Sequence, residues 1–181
     1  LHDFILNVLS NYNSSYFNLT EGSSIAGTEV TLSTNKYLVV DENLIPEGPI
    51  EEFPGIKSKT KFTLGEQEPD IDHCFVVDTD ASNVPIDTRS RPVQKLASFY
   101  HPESKIHLEV SSTEPTFQFY TGKHIDVPAV EGLPARGSRA GFCVEPARYV
   151  NAINVPEQKS QMTLKKGEKY GCKIVYRGWH A

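Results

Sequence analysis

The chain has 181 residues, enough for one sizeable hydrophobic core and too few to assume two. Its 18 Lys and Arg stand against 23 Asp and Glu with no basic block, which argues against a nucleic-acid partner. A hydrophobic content of 38% with twelve Gly and twelve Pro suits a folded, turn-rich, mostly β domain, and no stretch approaches the length of a membrane span.

Cys74, Cys143 and Cys172 lie far apart, with neither CxxC spacing nor an even count, so neither a zinc site nor a disulfide framework is expected and a reducing, cytoplasmic setting fits best. Asn13-Ser14-Ser15 and Asn18-Leu19-Thr20 match the glycosylation triplet, a pattern common by chance. The opening Leu1-His2-Asp3-Phe4-Ile5-Leu6 lacks a basic region and a small-residue cleavage site, and resembles a chain entered in mid-domain more than a secretory leader.

In chain order, 4–9 is apolar enough for a buried strand. Residues 11–19 are rich in small polar side chains that stabilise turns, with Tyr16 and Phe17 as anchors. Strands are expected over 28–33 and 36–40. Pro46, Gly48, Pro49, Pro54 and Gly55 then make 41–55 a loop with no long regular element. A short apolar pulse follows at Phe62-Thr63-Leu64.

Residues 71–77 form the next expected strand, with Asp72 and His73 at its front. The two could bind a polar ligand together at a sheet edge, or serve as a turn cap and a histidine satisfied by the backbone. Asp78 to Ser82 lacks the glycine and distal glutamate of a calcium loop and is read as a turn. Residues 94–100 and 105–111 alternate as the clearest hairpin, placing Ile106, Leu108 and Val110 on one face and His107 and Glu109 on the other. Another alternating strand covers 116–122 and carries Gln118 between aromatics. A Pro/Gly loop spans 123–138, and last strands are expected at 161–164 and 170–177. Strands at short, turn-punctuated intervals without a long helix imply an all-β antiparallel sandwich.

The stretch Arg139 to Tyr149 delivers one carboxylate, Glu145, at the end of an alternating run. Pro146 cannot donate to a sheet ladder, so the backbone is expected to leave the sheet there, with Glu145 facing a cleft. On local spacing alone a rim glutamate bound to Arg139 or Arg148 is favoured over a catalytic one.

Asn13-Ser14-Ser15-Tyr16-Phe17-Asn18-Leu19, Asp72-His73-Cys74-Phe75, Glu114-Pro115-Thr116-Phe117-Gln118-Phe119-Tyr120-Thr121-Gly122 and Gly141 to Tyr149 occur in the order and spacing of the galactose mutarotases, or aldose 1-epimerases. The chain most resembles their fungal branch, which includes the C-terminal mutarotase part of bifunctional UDP-glucose 4-epimerase/mutarotase proteins. The resemblance implies a galactose mutarotase-like β-sandwich (supersandwich), here only its C-terminal portion. Residues 1–181 would be a partial aldose 1-epimerase domain lacking the N-terminal sheet region and its further sugar-binding arginine and histidine. The implied partner is an aldohexose such as galactose or glucose, with no cofactor, metal, nucleic acid or membrane.

In that family a glutamate takes the proton of the anomeric hydroxyl while a histidine protonates the ring oxygen. By position Glu145 matches the base, and Asp72 and Gln118 match residues that hydrogen-bond sugar hydroxyls. Ser14 stands where the family's acid histidine belongs. A serine hydroxyl is far too weak an acid to replace an imidazolium near neutral pH, and losing a positioned acid costs roughly a hundred- to ten-thousand-fold in rate. The alternatives are a non-catalytic hexose-binding module, or a half-domain completed by another chain through exposed sheet edges.

Overall fold

The computed structural model describes residues 7, 8 and 14–181. The expected strand over 4–9 therefore lies outside the described residues except at its Asn7–Val8 step. In chain order the strands are Asn7–Val8 (β1), Tyr16–Phe17 (β2), Glu29–Leu32 (β3), Lys36–Val40 (β4), Pro46–Glu52 (β5), Lys61–Thr63 (β6), Asp72–Val76 (β7), Gln94–Tyr100 (β8), Ile106–Ser112 (β9), Thr116–Tyr120 (β10), Phe142–Ala147 (β11), Thr163–Leu164 (β12) and Ile174–His180 (β13). A six-stranded antiparallel sheet runs β2-β11-β10-β7-β4-β5, and a five-stranded one runs β13-β9-β8-β3-β6. The two face each other as the expected sandwich.

Alternation along the strands becomes the core. Phe75, Phe117, Phe119, Phe142 and Val144 of the six-stranded sheet meet Val30, Leu32, Leu96, Phe99, Leu108 and Val110 of the other. Phe99 and Phe142 stack across the sandwich with ring centroids 4.3 Å apart. Burying such a ring contributes about 1.5–3 kcal/mol, and the many rings on the inner face hold its backbone register. A second, smaller cluster of Leu38, Cys74, Val76, Tyr149, Ala152 and Met162 covers one end of the opposite face of the six-stranded sheet.

Three local expectations need correction. Residues 46–52 form the seven-residue strand β5 and not a loop. β5 is an edge strand with a register shift between Leu38 and Val40 of its partner, and an edge tolerates Pro46 and Pro49 because one side of its backbone needs no ladder partner. Pro146 does not end its strand either: it pairs with Phe117 inside β11, while β2 covers only Phe142 and Cys143, so the missing N–H falls where no described strand needs it. Finally, 161–164 is mostly a short 3-10 turn, Lys159–Met162, followed by the two residues of β12.

The connection between β10 and β11 begins at Gly122, whose φ of 77° is open to glycine, and a Cβ there would sit 2.1 Å from the Gly141 carbonyl oxygen. The close approach of these two backbones sets the start of β11 against the end of β10. Between them, bridges Val127 to Arg136 and Val130 to Leu133 fold the 123–138 loop back on itself.

Candidate active site

With the phenylalanines turned inward, the alternate residues of the same strands cover the outer face of the six-stranded sheet. The registers line up Tyr16, Cys143, Tyr120 and Asp72 in one row across β2, β11, β10 and β7. The neighbouring row holds Glu145, Gln118 and Cys74. Ser14, an exposed residue, lies two positions before β2.

Within this patch the Gln118 amide Nε2 donates to Asp72 Oδ1 at 2.6 Å. That bond leaves the Gln118 carbonyl and Asp72 Oδ2 as acceptors. The Cys143 thiol donates to Glu145 Oε1 at 3.4 Å. Burial, followed by the Glu145 charge, pushes the Cys143 pKa up, so the sulfur keeps its proton. The Tyr16 phenol is also raised, first by burial and then by the charges of Cys143, Tyr120, Glu145 and Asp72. Its ring meets Tyr120 edge-on at 6.4 Å, and Tyr120 Oη accepts the His124 backbone N–H at 2.6 Å.

A cavity of about 240 Å³ opens on the second row, lined by Val40, Leu44, Pro46, Asp72, Cys74, Gln118, Glu145, Ala147 and Val150. It is smaller than the roughly 300–1,000 Å³ of drug-sized ligand pockets and combines apolar walls with three convergent polar side chains. The Cys74 thiol in its wall is pushed up to about 11 by burial and stays neutral. Leu44 stands at the rim with a left-handed φ of 63°. Asp41 holds it there by accepting the backbone N–H groups of Asn43 and Ile45, each at 2.8 Å. Such backbone strain costs of order 1–3 kcal/mol and persists only where the surroundings impose it. Hollows of about 490 and 520 Å³ lie elsewhere on the surface, the first ringed by loop residues around Ser24 and His101 and the second by Lys159 to Glu168 and the 82–86 turn. Neither gathers side chains from adjacent central strands.

Asp72, Gln118 and Glu145 thus come together. Asp72 and His73 do not: successive strand residues point to opposite faces, and β7 lies inside the sheet and not at its edge. His73 turns towards Tyr37 and Phe53, at ring-centroid distances of 5.4 and 5.0 Å, and its Nδ1 accepts the Asp72 backbone N–H at 3.2 Å. Burial lowers its pKa, which leaves the ring neutral. No described cation pairs with Glu145. Arg139 is buried and donates to the Gly65 and Pro69 carbonyls, while Arg148 pairs with Glu114 at 2.9 Å and donates to the Pro85 and Ile86 carbonyls. The rim-glutamate reading, which needed one of these arginines, is not met.

Sequence reasoning missed the cavity walls. Leu44 and Pro46 arrive from a segment taken for a loop, Val40 from the end of the strand before it, and Val150 from the chain after Glu145. Cys143 was legible only through its i, i+2 spacing from Glu145, which puts both on one face of a strand. Among the described residues no group of three or more His, Cys, Asp or Glu is arranged to hold a metal ion, and no helix is long and apolar enough to cross a membrane.

Comparison with known proteins assigns the scaffold. Residues 12–177 match the pattern of aldose 1-epimerase. The chain belongs to the aldose 1-epimerase family. It is 39% identical over 170 residues to the bifunctional protein GAL10 of Kluyveromyces lactis, covering 91% of this chain and 23% of that protein. It is 36% identical over 169 residues to the galactose mutarotase of Sus scrofa, covering 87% of this chain and 46% of the mutarotase. The aldose epimerase homologue from C. elegans superposes with a TM-score of 0.77 at 20% identity, over 97% of this chain and 52% of that one, a likeness of fold. The chain therefore spans about half the length of the mutarotase and about a quarter of the bifunctional protein.

Proposed function

We propose that the outer face of the six-stranded sheet is a mutarotase site for an aldohexose such as galactose or glucose, with Glu145 as general base and Asp72 and Gln118 holding sugar hydroxyls. The observation that carries this reading is the convergence of these three side chains, from three adjacent strands, on one cavity. A carboxylate with no cation partner among the described residues can accept a proton, and the Asp72–Gln118 pair presents one acceptor from each residue.

In the reaction Glu145 takes the proton from the anomeric O1 hydroxyl. The C1–O5 bond breaks, C1 becomes an aldehyde carbon, and the ring oxygen O5 takes up a proton. Rotation about C1–C2 presents the other aldehyde face, O5 adds back to C1 while losing its proton, and O1 recovers a proton from Glu145. A base and an acid on opposite sides of the C1–O5 unit accelerate both halves. The acid is the weak part of this chain: Ser14 occupies that position, and protonation of O5 falls to water. Turnover is accordingly slow compared with a site bearing an imidazole.

Polarimetry of freshly dissolved α-galactose tests the proposal. Acceleration over buffer that Glu145→Gln reduces by roughly a hundred-fold or more supports it, and a wild-type rate equal to buffer ends it as an enzyme.

A second reading, a hexose-binding module without turnover, is favoured by the same Ser14. Its test is galactose titration followed by amide chemical shifts at Asp72, Gln118 and Glu145. Spectra unchanged at tens of millimolar sugar would remove it.

A further inference from the structure

A general base with two equivalent oxygens gains from having one of them tied down, because the other then faces the substrate in a single orientation. In this site the tie is a thiol. Cys143 precedes Glu145 by two residues on β11, so their side chains stand side by side on the outer face, and Cys143 Sγ lies 3.4 Å from Glu145 Oε1. The thiol is 1% exposed, held between strands β2 and β10 by its partners Tyr16 and Tyr120 in the same row. Tyr16 is the cross-strand partner of Cys143 on β2. The thiol thus reaches from its own row to the carboxylate of the next, donating to Glu145 Oε1. Burial keeps the thiol protonated and hence a donor.

We propose that Cys143 is a positioning residue for the base: its S–H fixes Glu145 Oε1 and so presents Oε2 to the anomeric hydroxyl. This rests on the reading of Glu145 as the base. It assigns the cysteine a role in the geometry of proton abstraction and not in covalent chemistry, since a neutral buried thiol is a poor nucleophile.

The experiment has two arms. In the first, the S–H stretching band of Cys143 is identified by Raman spectroscopy as the band lost in Cys143→Ala and in Cys143→Ser. It is then followed in Glu145→Ala. A shift of that band to the higher frequency of an unbonded thiol, with the bands of Cys74 and Cys172 unmoved, supports the proposal; an unmoved Cys143 band overturns it. In the second, mutarotation is measured in the wild type, Cys143→Ala and Cys143→Ser. Loss of one hydrogen bond to the base is expected to lower kcat roughly three- to tenfold at unchanged KM in Cys143→Ala, with kcat largely retained in Cys143→Ser, which still has a donor. Equal rates in both variants, whether reduced or not, overturn the positioning role. If the wild type shows no mutarotation at all, the enzyme reading falls on that result alone, while the Raman arm still decides whether the thiol holds Glu145.

Discussion

Gln118 Nε2 donates to Asp72 Oδ1 at 2.6 Å, joining the side chains of two adjacent strands diagonally across the face that also carries Glu145. The bond orients both groups before any ligand arrives, so the two act as one unit towards a sugar. Asp72→Ala and Gln118→Ala are each expected to weaken galactose binding roughly ten- to 150-fold, the range of a lost hydrogen bond involving a charged group. The double variant should lose less than the product of the two. Affinities from chemical-shift titration that multiply as independent factors would contradict this coupling.

Ser14 lies two positions before β2, the strand that pairs with the start of β11. If an acid is the missing component of turnover, Ser14→His is expected to raise kcat by roughly a hundred-fold or more, and to introduce a dependence on a group titrating near neutral pH. The pH profile of the polarimetric rate checks it. A variant that binds galactose yet turns over no faster than wild type would place the deficiency elsewhere in the site.

Arg148 and Glu114 are buried together, with side-chain exposures of 4% and 1%, and the arginine also donates to the Pro85 and Ile86 carbonyls. The pair lies behind the strand end that carries Glu145. Arg148→Met alone leaves a buried carboxylate, and Glu114→Leu alone a buried guanidinium, so each should cost about 3–5 kcal/mol. The double variant should recover much of that loss. Urea denaturation of the three proteins measures it, and additive losses would show that the two residues are not energetically coupled.

His73 carries the pH prediction. Burial lowers its folded pKa below the ordinary 6.5, against the opposing pull of Asp72 and Asp70. The unfolded chain therefore binds more protons than the folded one between 6.5 and the lowered value. Its contribution to stability is full above pH 6.5 and is lost as pH falls through the folded pKa. The urea midpoint should drop over that window, and His73→Phe, which keeps an aromatic ring beside Tyr37 and Phe53, should make the drop shallower. Identical pH slopes in the two proteins would exclude the role.

The strands built from strict alternation were legible in the sequence. In β9 Ile106, Leu108 and Val110 alternate with polar residues, and the inward Phe117 and Phe119 of β10 follow from period-two geometry alone. The same rule sets Cys143 and Glu145 on a common face of β11. Proline misled in both places where it was given most weight. Pro46 and Pro146 sit in strands because neighbours are lacking on one side of the backbone, and whether a strand has a neighbour is a property of the sheet and not of the residue.

The chain by itself determined its class, its core strands and the candidate trio Asp72, Gln118 and Glu145, because short-range periodicity and ordered motifs are written locally. Tertiary structure alone decided that the trio shares a cavity, that His73 turns away from it, that Arg148 belongs to Glu114, and that a thiol touches Glu145. Those relations depend on register between strands up to 127 residues apart, from Tyr16 to Cys143. A one-residue slip in that register would send every side chain to the opposite face, and only packing of the whole inner face selects the right one.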